Sequence, residues 1–141
     1  MFVTVWLGIL NISSGVITAA NAGHEYPMLK KPGGAFELVK DRHGLVLGGM
    51  EGISYTEYEM KLESGSTLFV YTDGVAEATS AQEELFGTDR TLEALNEKAD
   101  STPKELLETV DRHVNLFVGD APQFDDLTML CITWFEEEHH T

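Results

Sequence analysis

The order of the apolar segments constrains this chain more than any other feature. Several short β-type runs come first, two helical segments follow back to back, and one last apolar run closes the pattern. A parallel doubly wound sheet needs strand and helix to alternate, because each crossover carries the chain back across the sheet. That alternation is missing. The order predicts an antiparallel α+β domain.

Residues 2–10 are rich in β-branched and aromatic types and read as a strand buried on both faces. Ser14-Gly15 is a turn signal, and a second strand over 16–21 makes the pair a β-hairpin. Met28-Leu29 is a short apolar piece, Pro32-Gly33-Gly34 a turn, and 35–40 another strand. The glycine-rich stretch 44–52 reads as a loop. Between Ser54 and Leu62 the chain alternates, with Glu57, Glu59 and Lys61 on a wet face. Thr67–Thr72 is a compact buried strand that runs directly into Asp73-Gly74.

The helices are marked by their ends. One is expected over 88–99. The next carries Thr102 as N-cap, Pro103 at the first helical position and Glu105 to complete a capping box. Leu106, Leu107, Val110, Val114 and Phe117 then share one face, and Gly119 stops the helix. A final strand over 127–135 follows Asp125-Asp126.

Charge narrows the function classes. Twenty-four acidic residues against nine basic ones give a formal net charge of −15. Binding to nucleic acid or to an anionic membrane requires a basic surface, so neither is an expected partner. The single cysteine, Cys131, lies within the last apolar run and reads as a buried, inert thiol. Met1–Leu10 has no basic leader and no cleavage site, and polar Asn11, Ser13 and Ser14 interrupt it, so a cytoplasmic location is expected. Residues 136–141, with His139 and His140, read as a solvated tail.

Asp73 stands at the C-terminal end of one buried strand and Asp125 just before the start of another. If those strands are antiparallel neighbours, the two carboxylates face each other across adjacent strand ends. Hard cations such as Mg²⁺ and Mn²⁺ take oxygen ligands of this kind. The plainer reading is turn chemistry, since Asp-Gly and Asp-Asp are both ordinary turn residues.

Three segments in this order carry a resemblance: Asn21–Leu29 (NAGHEYPML), Leu68–Ala78 (LFVYTDGVAEA) and Phe124–Leu130 (FDDLTML), with Leu85-Phe86-Gly87 between the last two. Together they resemble the type 2C metal-dependent serine/threonine protein phosphatases, in the bacterial branch of SpoIIE and the sigma-factor-regulating phosphatases. The resemblance implies an antiparallel β-sandwich flanked by helices. Residues 1–135 would be the C-terminal portion of the phosphatase domain. It implies Asp73 and Asp125 as metal ligands, with Gly74 and Asp126 in supporting places and His24 near the cleft. Glu25 and Glu77 are candidates for contacts behind the metal, although an exposed carboxylate is the plainer reading of each.

The implied chemistry is dephosphorylation of phosphoserine or phosphothreonine by a water activated on two Mn²⁺ or Mg²⁺ ions. No side chain acts as nucleophile. The implied partner is a phosphorylated regulatory protein, such as an anti-sigma-factor antagonist, and an upstream sensor domain is a further expectation. The family places another motif before the first segment found here, with an aspartate that bridges both metals; Met1–Leu10 has no counterpart to it. The expectation is a partial domain, weak or inactive by itself without its N-terminal phosphatase segment. The alternative is a degenerate phosphatase-like module that binds a regulatory protein without acting on it.

Overall fold

The computed structural model describes residues 4–40, 43–44, 56–121 and 127–137. In chain order these give β1 (Val5–Leu10), β2 (Val16–Ala22), β3 (Met28–Lys30), β4 (Phe36–Leu38), β5 (His43–Gly44), β6 (Tyr58–Lys61) and β7 (Ser66–Tyr71). There follow α1 (Asp73–Ala76), α2 (Gly87–Glu97), α3 (Pro103–Val118) and β8 (Met129–Trp134).

The strands form two sheets. One runs β1-β2-β5, with β6 also pairing to β2; the other runs β4-β3-β7-β8. Every pairing between these strands is antiparallel except that of β2 with β5. The α+β fold with antiparallel sheets is as expected. So is the β1–β2 hairpin, in which Leu10 faces Ile17 across the turn.

Two apolar clusters hold the layers together. Ile17, Met60, Leu62, Leu68 and Trp134 come from both sheets and fill the space between them. Phe69, Tyr71 and Cys131 of the second sheet pack instead with Leu95, Leu106, Val110 and Val114 of α2 and α3. Strand β7 lies between β3 and β8 and contributes alternate residues to both clusters. This is why its sequence is almost continuously apolar.

The helices follow their end signals. Thr102 Oγ1 accepts the Glu105 N–H at 3.3 Å, Pro103 opens α3, and Gly119 ends it with φ +59°. Asn96 ties α2 to the sheet: its Oδ1 accepts the Phe36 N–H at 2.7 Å and its Nδ2 donates to the Phe36 carbonyl at 3.2 Å.

Three expectations need correction. Strand β1 is not buried on both faces: Leu7 is 60% and Ile9 66% exposed. Only the Trp6 and Leu10 side reaches the inter-sheet cluster, so apolar content alone overstated its burial. Gly44 is not loop but pairs with Ala22 in the short parallel strand; 45–52 lie outside the described residues. In the alternating segment Thr56 and Glu57 are not part of the strand, which takes in Tyr58–Lys61 with Glu59 and Lys61 on its wet face as expected, while 54–55 lie outside the described residues.

Candidate functional site

The end of β7 is built by local geometry. Thr72 is extended, with φ −99° and ψ 172°, and Asp73 starts the single-turn helix α1. Val75, fully buried in the helix-side core, anchors that turn, and Glu77 N–H donates to the Asp73 carbonyl at 2.7 Å. Asp73-Gly74 therefore forms a strand-to-helix junction rather than a hairpin turn. The predicted neighbour relation holds: β7 and β8 are antiparallel, and Thr72 N–H donates to the Thr128 carbonyl at 3.1 Å. The segment just before β8 thus arrives beside the end of β7. Asp125 and Asp126 lie outside the described residues.

The connection from β2 to β3 reaches the same place. Gly23, at φ +70°, turns the chain out of β2 in a conformation that L side chains resist. Asn21, 1% exposed, accepts the His24 N–H on Oδ1 at 2.7 Å, which fixes the bend. His24 Nδ1 lies 3.1 Å from Thr4 Oγ1. Its ring lines a groove of about 350 Å³ with Trp6, Tyr71, Thr72, Met129 and Leu130. The histidine is thus held by side-chain contacts at the edge of this region.

Glu25, the next residue, is half-buried, and its carboxyl group hydrogen-bonds to that of Asp73. Its pKa is pushed up to about 7. Burial is the largest cause, then the hydrogen bond and charge of Asp73, then the charge of Glu77. Two carboxylates in contact cannot both ionise cheaply, so Glu25 keeps its proton well above the usual carboxylate range. Glu77 is exposed, as its plainer reading had it; Glu25 is not.

Tyr71 completes the cluster and was not singled out from sequence. The residue is 2% exposed, and its hydroxyl has no hydrogen-bond partner among the described residues. Thr88 stands nearby as a favourable neighbour, but not in hydrogen-bonding geometry. Burial, followed at a distance by the charges of Glu25 and Asp73, pushes the phenol up to about 12. The available signal was its place in β7, two residues before Asp73 and on the same face as Phe69.

Residues 1–135 match the model of the family described as Stage II sporulation protein E (SpoIIE). The chain belongs to the SpoIIE family. Among curated proteins it is similar to Protein IcfG of Synechocystis, 33% identical over 94% of this chain and 20% of that protein. It is also similar to the phosphoserine phosphatase RsbU of Bacillus subtilis, 26% identical over 94% of this chain and 39% of that protein. The chain therefore spans well under half the length of these two relatives. Among solved structures, the SiaA-PP2C domain of Pseudomonas aeruginosa superposes with a TM-score of 0.73 at 22% identity, over 86% of this chain and 47% of that one. The fold is that of PP2C phosphatase domains.

The SpoIIE family is metal-dependent. Among the described residues, no group of three or more His, Cys, Asp or Glu side chains converges closely enough to hold an ion. What does converge is the Glu25 carboxyl on that of Asp73, with the buried Tyr71 hydroxyl within reach of their charge. Carboxylate oxygens are the donor type a hard divalent cation takes, so the chemistry of Asp73 suits the group the family uses, although the described residues alone supply too few ligands. No helix among the described residues is long and apolar enough to cross a membrane.

Proposed function

We propose that this chain carries the Asp73 part of the active centre of a metal-dependent serine/threonine protein phosphatase. On this reading it acts in the cytoplasm on a phosphorylated regulatory protein, an anti-sigma-factor antagonist being the expected kind. Asp73 and Asp125 would hold Mn²⁺ or Mg²⁺ from the ends of neighbouring strands, with Gly74 and Asp126 shaping the loops that present them. Glu136 and Glu137, the last described residues, are exposed. The observation that carries the reading is the convergence of the Glu25 carboxyl on Asp73 at the end of β7, within a chain of the SpoIIE family.

When bound, the metal supplies Lewis acidity and a water of lowered pKa that attacks phosphorus. The protein's own part is positional. Buried β7 and the Val75 anchor keep the Asp73 carboxylate at a fixed place and leave it open to solvent on one side. A cysteinyl nucleophile is not part of this chemistry. Cys131 is 8% exposed, and burial pushes its thiol up to about 11, so there is almost no thiolate near neutral pH.

Hydrolysis of a phosphoserine peptide and of an aryl phosphate, with Mn²⁺ and with chelator, tests the reading. Metal-dependent turnover that drops by about 10² or more in Asp73→Asn supports it. Turnover indifferent to that substitution rejects it. Metal-independent binding of a phosphorylated regulatory protein with no turnover identifies the non-catalytic module instead.

A further inference from the structure

We propose that the open edge of β1 pairs antiparallel with the same edge of a second copy of this chain, so that two of the β1-bearing sheets join into one. This pairing stands apart from the chemistry proposed for Asp73.

Three observations carry it. The first is that β1 ends its sheet. Among the described residues its only ladder is with β2, in unbroken register from Val5↔Ala22 to Leu10↔Ile17. The backbone groups along its other side belong to no ladder among those residues. Edge strands of this kind are normally blunted by a lysine, a proline or a bulge. The sequence VWLGIL and its one-to-one register have none of the three.

The second is the apolar surface beside that edge. Leu7 is 60% and Ile9 66% exposed, and Ile12 just beyond them is 73% exposed. Trp6, Leu7 and Gly8 also line a groove of about 350 Å³ with Met129 and Leu130 of β8, which ends the other sheet. The edges of both sheets therefore open on one side of the molecule. Contiguous apolar surface at such a place marks an interaction site.

The third is charge, which selects the occupant. The formal net charge is −15, yet residues 1–23 and 127–135 contain no Asp, Glu, Lys or Arg. Two copies repel over much of their acidic surface and can meet on this face without that cost. A basic partner would find no counter-charge here and would be steered to the acidic surface instead. The edge is also self-complementary. A two-fold axis through Gly8 sets Leu7 opposite Ile9 of the second copy, and Ile9 opposite its Leu7, so both exposed side chains gain a cross-strand neighbour. Gly8 brings no side chain to the axis.

Sedimentation velocity of the 141-residue chain, over a range of concentrations at low and high salt, tests this. Leu7→Lys, Ile9→Lys and Leu116→Lys are compared with it, and circular dichroism checks folding. The expected mass rises from one chain to two with concentration, and does so more readily at high salt, where repulsion between the acidic copies is screened. Leu7→Lys and Ile9→Lys should each weaken the dimer by about tenfold or more, because the added charge sits in the pairing edge. Leu116→Lys adds the same charge at an exposed site on α3 and should leave it unchanged. Amide hydrogen exchange of the unaltered protein should slow across β1 as concentration rises.

A chain that stays monomeric at every concentration and salt overturns the proposal and leaves this edge to another occupant. A dimer indifferent to both β1 substitutions places the interface elsewhere and overturns it equally. Should either variant not fold, exchange in the unaltered protein decides, and β1 amides that gain no protection on association reject the pairing.

Discussion

The carboxyl groups of Glu25 and Asp73 share a hydrogen bond between the β2–β3 connection and the end of β7. Neither group is near the other in sequence. Their contact gives this region an electrostatic cost in the absence of a cation and a reason to accept one, and several measurable consequences follow from it.

The first concerns pH in the presence of chelator. Glu25 is raised from 4.5 to about 7 in the folded protein, so the folded state holds its proton more tightly than the unfolded one. The stability linked to this group is fully present below about pH 4.5 and is lost as pH rises through 7. Thermal melts of the metal-free protein should show a lower Tm at pH 8 than at pH 6. Glu25→Gln should flatten that slope.

Metal addition should act in the opposite sense. Mn²⁺ at about 100 times its Kd stabilises a one-site protein by roughly 2.7 kcal/mol. That corresponds to a rise in Tm of roughly 5–10 °C for a domain of this size. Differential scanning calorimetry should show the rise in the unaltered protein and its near absence in Asp73→Asn.

Cys131 supplies a separate check on the core. Its thiol is raised from 9.0 to about 11 by burial, so the folded protein favours the protonated form, and the linked stability is present below pH 9 and lost through 11. A disulfide reagent at pH 8 should label the native protein slowly, at a rate limited by opening. Labelling should become fast once denaturant unfolds the chain.

Two helix contacts should show measurable but unequal costs in denaturant melts. Thr102→Ala removes the side-chain cap of α3 and should cost about 1 kcal/mol. Asn96→Ala leaves both the N–H and the carbonyl of buried Phe36 without their partner and should cost about 1–3 kcal/mol. An Asn96 variant as stable as the original would show that water satisfies Phe36 equally well.

These two residues mark the boundary of what was legible in the sequence. Thr102, Pro103 and Glu105 announce the start of α3 because capping acts within one turn. The β1–β2 hairpin and the strand that ends at Asp73 were readable for the same reason, whereas the pairing of that strand with the last one entered only as a condition. Periodicity and turn chemistry are properties of short stretches. Asn96 was not readable, because its partner Phe36 lies on another element and nothing local marks the pairing.

Asp73 as the end of a buried strand, the α+β order and the SpoIIE family were all determined by the sequence alone. Tertiary structure alone decided that Glu25 meets Asp73, that the Tyr71 hydroxyl is buried beside them with no partner among the described residues, and that the outer side of β1 stays exposed. Those outcomes depend on where Gly23 turns the chain and on which register β3 and β8 take against β7. The forces that set register are summed over whole sheets and their cores, so no short stretch of residues encodes them.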